Sequence, residues 1–535
     1  METLEAPAEP TPAAPPAAPR GLFALAGMVG AGVSLGFGEL IDGMSESAPS
    51  LVISAGEWFR DAVPGDFAKD AIELFGEHDK IALVIGTTVT VLLIGAVVGL
   101  VARTRAAAPA IVFGVFGLIG GWLGARSPLA GTGISWVSSI LSAIVGFAVT
   151  TFLLGRLRAE PAPRSIETPT NNHHPRRAFL GWAGGGATAA VGAALIGKGL
   201  READAVDPTL DIVAADGATE TVETFDTAIT TIDGVDTFDD IENISRYLTP
   251  TDEFYRIDTA LRPPQVDPDS WSLTIDGLVD NPMTLTLDDI LSMDLEDHVV
   301  TLSCVSNEVG GELVGNAQWT GVRLTSLLEM AGVQPDAQQV FGVSVDGFTA
   351  GFPIDVLDDG RNAMLAIAMN GEPLPVIHGF PARLVVPGLY GYVSAVKWIE
   401  RILLTTWDGA DGYWIPRGWS KLGPIKTQSR IDVPRNGQRV TQGTVAVAGI
   451  AWAPTGGVSK VEVKVGDADW AEAELSGSVS GETWLQWMLP WDATPGDHVI
   501  AVRATNLDGE TQSEIPVPVA PDGAEGYHAI LVEVV

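Results

Sequence analysis

Cysteine is almost missing: of 535 residues, only Cys304 carries a thiol. One thiol excludes a disulfide within the chain, a zinc cage of several thiolates and an iron–sulfur cluster held by cysteines alone. Cys304 is left as either an apolar filler or a single ligand. Positive charge is scarce as well, with 31 Lys and Arg against 67 Asp and Glu and a net charge of −36. Such a chain repels a phosphate backbone, whose binding depends on cations, so nucleic acid is excluded as a main partner. Charged residues make up only 18% and apolar residues 46%, which excludes disorder and is too greasy for a purely soluble chain. No internal repeat is present. At roughly 150 residues per domain the length suggests three or four domains.

What is there begins with apolar runs. Crossing about 30 Å of hydrocarbon takes about 20 apolar residues in a helix, and five uncharged runs near that length come first: Gly21–Gly38, Ile81–Ala102, Ala106–Ala125, Ser127–Gly155 and Ala178–Gly197. Arginines follow the second run (Arg103, Arg105) and fill the linker at 156–177 (Arg156, Arg158, Arg164, Arg176, Arg177), which places both stretches on the cytoplasmic side. The segment between the first two runs is acidic, with Glu46, Glu57, Asp61, Asp66, Asp70, Glu73, Glu77 and Asp79, and suits the outside. Five crossings put everything after about Arg201 outside. Residues 1–20, rich in Pro and Ala, read as a tail. Four spans lie in 21–155 and the fifth in 178–200. That fifth run opens with Pro175-Arg176-Arg177-Ala178-Phe179-Leu180, similar to a twin-arginine export signal, although a plain positive anchor has the same look. None of His78, His173, His174, His298, His378, His498 and His528 falls within a span, so no intramembrane haem is expected. The spans also lack interior ionisable residues, and the bundle reads as an anchor or docking module.

Residues 201–250 are acidic and poor in aromatics, like a spacer. From 251 to 422 the pattern is mixed α+β. Trp271–Gly277, Val299–Leu302, Val340–Val345, Arg383–Val386 and Arg401–Thr405 read as strands, and Leu287–Leu291 and Val322–Ala331 as helices, the second stopped by Gly332. From 423 to 535, short strands separated by Pro, Gly and Asp turns suggest an all-β sandwich of the immunoglobulin-like class.

Two clusters stand out chemically. Thr301-Leu302-Ser303-Cys304-Val305-Ser306-Asn307 ends an apolar strand in a cysteine, followed by Gly310-Gly311 and Gly315–Gly321, where a backbone can approach a large ligand. His378-Gly379-Phe380-Pro381-Ala382-Arg383 combines an imidazole, a turn and a guanidinium suited to phosphate. Alone, each is as well explained by packing or an ordinary ion pair.

Together with Phe254-Tyr255-Arg256, Met369-Asn370-Gly371-Glu372-Pro373-Leu374-Pro375 and Val396-Lys397-Trp398, they occur in an order that resembles the sulfite oxidase family of molybdopterin enzymes, from about Phe254 to the end. After the α-helical membrane bundle read from the apolar runs, the resemblance implies an α+β molybdopterin-binding domain and a β sandwich that pairs two chains. It implies a molybdenum–molybdopterin cofactor with Cys304 as the metal ligand. Asp252, Tyr255, Arg256, Ser344, His378, Arg383, Ala395, Val396 and Lys397 are implied as further cofactor contacts, and Arg256 also as the residue that orients an anionic substrate. Soft sulfur on a metal capable of two-electron chemistry is sensible, and one thiol suffices.

The chain departs from the sulfite oxidases in two places. They carry a tyrosine where Ile367 stands and an Asn-Arg pair where this chain has Asn307-Glu308. Losing a phenol and a cation weakens a sulfite or sulfate site, so sulfite oxidation and sulfoxide reduction both remain open. With no haem-attachment or iron–sulfur motif, an external electron partner is implied. A different class, a cofactor-free surface scaffold that kept the fold, is the alternative.

Overall fold

The computed structural model describes residues 19–45, 47–63, 79–158, 175–206, 208, 210 and 228–535. The tail through residue 18, the acidic stretch 64–78, the linker at 159–174 and the spacer at 211–227 lie outside the described residues. The chain divides into two compact units, one ending at Ala205 and one running from Val206 to Val535.

The first unit is helical: α1 Arg20–Gly43, α2 Leu51–Ala62, α3 Asp79–Val101, α4 Ala108–Gly124, α5 Thr132–Arg158 and α6 Pro175–Ala203. Helices α1, α3, α5 and α6 are long and apolar enough to cross a membrane. Helix α4, the third expected span, has 17 residues and reaches only about 25 Å at 1.5 Å per residue. The amphipathic α2, capped by the Ser50 hydroxyl on the Ile53 N–H at 3.2 Å, fills part of what reads in sequence as an acidic loop.

Helix α1 packs against α3, α5 and α6. Small residues permit this. A methyl on Gly27 would strike the Gly95 carbonyl, and one on Gly99 the Phe23 carbonyl, so α1 and α3 touch backbone to backbone. The first and fifth expected spans continue farther than their uncharged runs. Glu39 and Asp42 stay in α1 because Arg201 of α6 pairs with both carboxylates, which offsets the cost of burying them.

The second unit has two sheets in its first half. One has the order β2-β1-β10-β5-β6, from β1 Ser272–Gly277, β2 Met283–Thr286, β5 Gln339–Ser344, β6 Thr349–Pro353 and β10 Ile399–Thr405, with β1 and β10 parallel. The other has the order β3-β4-β7-β8, from β3 Glu296–Ser303, β4 Val314–Arg323, β7 Met364–Met369 and β8 Glu372–Pro373, with β9 Arg383–Val385 beside β7. Every residue of β7 is buried, so it shows no alternation. This half also has three short α-helices: α7 Leu287–Leu291, with a Thr286/Asp289 capping box, α8 Leu324–Ala331, and α9 Gly391–Ser394. Val322 and Arg323, which read as helix in the sequence, instead extend β4, because their backbones pair with Leu365 and Met364 of β7.

The second half is a sandwich of two sheets. The first joins β11 Gln428–Val433, β13 Gly443–Trp452, β17 Leu485–Ala493 and β16 Glu474–Leu475 in that order. The second joins β12 Arg439–Val440, β19 His528–Val534, β18 Gly496–Asn506, β14 Val458–Val465 and β15 Ala471–Glu472. Ile431, Val447, Trp487, Val461, Ile500 and Val532 form the core between them. The halves are stitched together. The Tyr247 carbonyl accepts from Asn316 Nδ2 and from Trp484 Nε1, both at 2.9 Å, and Thr301 Oγ1 accepts from the Trp484 N–H at 2.7 Å. Leu210, Ile244, Tyr247 and Leu248, in the stretch read as a spacer, are buried and seat an otherwise acidic segment.

Candidate functional site

Cys304 follows directly on β3, whose last five residues are all buried. Its N–H donates to Leu313 O at 2.9 Å, its carbonyl accepts from the Asn307 N–H at 3.0 Å, and its sulfur accepts from the Ser306 N–H at 3.4 Å. The Asn307 Oδ1 accepts from the Leu313 N–H at 2.9 Å and closes the loop. Burial pushes the Cys304 thiol pKa up, so the free sulfur keeps its proton and a thiolate here calls for a neighbouring cation.

Two phenols lie where they would feel a thiolate at Cys304. Burial, then the cysteine, pushes the Tyr255 pKa above its ordinary value, against the pull of Arg383. Burial likewise pushes Tyr390, just before α9, up to about 12, with Cys304 a smaller contributor. Both phenols therefore keep their protons at neutral pH and can donate.

A second group lies beside this one. Arg383, the first residue of β9, is buried, donates from Nη1 to the His378 carbonyl at 3.1 Å and lies over the Trp319 ring. Burial brings it down to about 10, still cationic. Lys397 Nζ donates to Asp258 Oδ2 at 2.9 Å and to Ile377 O at 3.2 Å, and burial pulls its pKa to about 8. Arg256, exposed, donates from Nε to the same Asp258 oxygen at 2.9 Å. His378 Nε2 donates to the Thr251 carbonyl at 3.1 Å, which leaves Nδ1 as the acceptor of a neutral ring. Its pKa falls to about 4 through burial first, then through Arg383 and Lys397. Gly379, at φ 116°, lets these residues converge: a methyl there would sit 3.1 Å from the Cβ atoms of both Arg383 and Lys397.

Of the sequence-predicted residues, the fold thus brings together Cys304 and Tyr255 at one end and Arg256, His378, Arg383 and Lys397 at the other, with Arg383 coupled to Tyr255. Val396 is wholly buried and offers only backbone, its carbonyl accepting from the Leu384 N–H at 2.9 Å. Ala395 follows α9 and donates its N–H to Gly391 O at 2.9 Å. Asp252 is exposed, next to the Thr251 that holds His378. The Ser344 hydroxyl is spent on its own turn, accepting from the Asp346 N–H at 3.4 Å. Sequence reading missed Asp258 and Tyr390, and took Trp319 only as part of the Gly315–Gly321 stretch. The run Leu389-Tyr390-Gly391-Tyr392 was a visible signal for a shaped aromatic turn, whereas an aspartate two residues from an arginine is too common to single out.

A domain family described as the oxidoreductase molybdopterin binding domain matches residues 260–414. An uncharacterized oxidoreductase of Bacillus subtilis (strain 168), YuiH, is 36% identical over 157 residues, covering 29% of this chain and 76% of its own length. This chain belongs to the molybdopterin-binding oxidoreductases. Human mitochondrial sulfite oxidase is 29% identical over 309 residues, covering 49% of this chain and 56% of the relative, and the sulfite oxidase of Arabidopsis thaliana is also 29% identical. The oxidoreductase thus spans a little over half the length of the human enzyme. The solved sulfane dehydrogenase SoxCD of Paracoccus pantotrophus matches at TM-score 0.47 and 22% identity, over 60% of this chain and 87% of that one.

The residues of the oxidoreductase fit such a cofactor. Two of the three cations, Arg256 and Lys397, share the carboxylate of Asp258, while the third, the buried Arg383, donates to the His378 carbonyl and its Nε has no protein partner. That leaves a site short of an anion. Among the described residues no group of three or more His, Cys, Asp or Glu could hold a metal, so a metal bound at Cys304 would have to bring most of its ligands with it.

Proposed function

We propose that this chain is a membrane-anchored molybdopterin oxidoreductase, its second unit on the extracytoplasmic side, that moves an oxygen atom to or from a small oxyanion or sulfoxide-like substrate. The observation that carries the reading is a lone buried thiol beside an undercompensated cation cluster whose Arg383 Nε is unpartnered. The cofactor supplies two-electron oxygen-atom exchange when bound.

The chain's own residues do the rest. Cys304 holds the metal. Lys397 and Arg383 offset the phosphate, and His378 presents Nδ1 to a donor on the pterin. Tyr255 and Tyr390 keep their protons and can donate to the oxygen of the substrate. Arg256, exposed and tethered by Asp258, meets an anion arriving from solvent. Ser344, Asp252, Ala395 and Val396 complete the cofactor contacts, mostly by backbone. Helices α1, α3, α5 and α6 support the anchor, with α4 as a shorter fifth element; Arg176 and Arg177 act as the twin-arginine signal for export of an already loaded domain. The C-terminal sandwich is an immunoglobulin-like module that pairs two chains. Electrons pass to or from a separate protein.

A cofactor-free scaffold leaves the unpartnered Arg383 nitrogen without a purpose. The test is molybdenum content. The purified full chain should carry about one molybdenum, and Cys304→Ser should lose it while keeping its circular dichroism. A metal-free wild type, or a Cys304→Ser chain that retains metal, overturns the reading. Substrates and direction follow from a screen of the loaded chain with artificial electron donors and acceptors.

A further inference from the structure

The loop that carries Cys304 is held from outside the catalytic half. Arg430, on β11 of the sandwich, has a largely buried guanidinium that divides three ways. Nη1 donates to the Gly311 carbonyl at 2.7 Å, Nη2 to Ser245 Oγ at 2.6 Å, and Nε to Asp432 Oδ1 at 2.7 Å. The other oxygen of Asp432 accepts from the Ser245 N–H at 2.9 Å, so the far side of the guanidinium is itself fixed. Each donor on this planar fork meets a different element, which a lysine could not reproduce.

Gly311 connects directly to the sulfur's surroundings. Its N–H donates to Glu308 O at 2.9 Å, and two residues later the Leu313 backbone accepts from the Cys304 N–H and donates to Asn307. A second contact comes from β19. The His528 ring lies against Gly310, where a methyl would come within 2.5 Å of Nε2, and His528 Nδ1 is occupied by the Ile431 N–H at 3.0 Å. Gly310 has φ 78°, a left-handed conformation that only glycine adopts freely, so the loop can lie flat on the histidine. Strand β3 is braced by the same half: the Thr301 N–H donates to the Glu482 carbonyl at 3.0 Å.

We propose that Arg430 is a positioning residue for the Cys304 sulfur: from the sandwich, through the Gly311 carbonyl, it fixes the loop that orients the metal ligand. The sandwich is then part of the catalytic machinery as well as a platform for pairing chains. This rests on the reading of Cys304 as the metal ligand, and the experiment separates the two.

Because Cys304 is the only cysteine, its alkylation needs no background substitutions. The full chain, purified from cells that make no pterin cofactor, is treated with iodoacetamide as wild type, Arg430→Met, Arg430→Lys and Ser245→Ala. Arg430→Met should raise the alkylation rate at least about tenfold with an unchanged circular dichroism spectrum. Arg430→Lys should fall between it and wild type, and Ser245→Ala, which removes only the arm away from the loop, should match wild type. In the molybdenum-loaded chain, the Mo(V) electron paramagnetic resonance signal should shift in Arg430→Met and return toward wild type in Arg430→Lys. Rates within twofold of wild type in both Arg430 variants overturn the proposal. If Arg430→Met does not fold, Arg430→Lys decides by the same criterion. Should Cys304→Ser keep its molybdenum, the ligand reading fails, whatever the alkylation rates.

Discussion

The guanidinium carbon of Arg383 sits 4.8 Å from the centre of the Trp319 indole, both side chains buried. A cation on an aromatic face in a desolvated place recovers about 2 kcal/mol of the cost of its burial. It also holds the arginine with Nε unsatisfied, an arrangement that makes sense when an anion completes it.

Arg383→Lys should therefore fold and still lose cofactor. The ammonium keeps the charge but loses the planar stack and the directional donors, and retention through gel filtration should drop at least about tenfold, with Arg383→Met worse. Molybdenum per chain is the measurement; full retention in Arg383→Met would remove this residue from the site.

The pH behaviour of Lys397 follows from its burial. At about 8, its pKa lies below the ordinary lysine range, so the ammonium is lost as pH rises through about 8. Between that value and about 10.4 the unfolded lysine binds a proton that the folded one does not, so the metal-free fold gains stability as pH rises there. Affinity for an anionic cofactor falls over the same window. Cofactor retained after dialysis at pH 7 and pH 9 should show the loss. Asp258→Asn, which removes the carboxylate that holds the proton on Lys397, should move that loss to lower pH.

His378 has the same sign in a lower pH window. Its folded pKa of about 4 lies below its unfolded value of about 6.5, so its contribution is fully present above about pH 6.5 and is lost as pH falls toward 4. The gap amounts to on the order of 3 kcal/mol. His378→Gln can still donate to Thr251 O but does not titrate. Urea midpoints of the metal-free chain at pH 7 and pH 4.5 should fall less in this variant than in wild type; equal falls would show that another group governs the acid side.

Restoring the sulfite oxidase residue at position 367 should not restore a substrate site. Ile367 has no exposed surface and lies within β7, where a phenol would overfill the core at a cost of about 1–3 kcal/mol. Ile367→Tyr should lower the unfolding midpoint without a gain in sulfite turnover, assayed with an artificial acceptor.

Cys304 could be read from the chain because it is alone and ends an apolar run, and His378 and Arg383 because their spacing carries a turn. Asp258 and Arg430 could not, since their meaning lies in partners 139 and 119 residues away, Lys397 and Gly311, chosen only when the sheets close. Strand β7 hid for a different reason: buried on both faces, it lacks the alternation that marks a half-exposed strand. The start of α8 was misjudged by two residues because a ladder to β7 outcompetes helix propensity at Val322 and Arg323. The five apolar runs were plain in the composition, while the continuation of α1 through Glu39 and Asp42 depended on Arg201, far along the chain.

The Tyr247 carbonyl, shared between Asn316 and Trp484, makes the boundary near residue 423 a division of shape and not of folding. A fragment cut there would leave the Asn316 half of that bridge facing water and strip the backing from β3, so the catalytic half is not a portable cassette. Shuffling it onto a foreign sandwich would mean transplanting the seam as well.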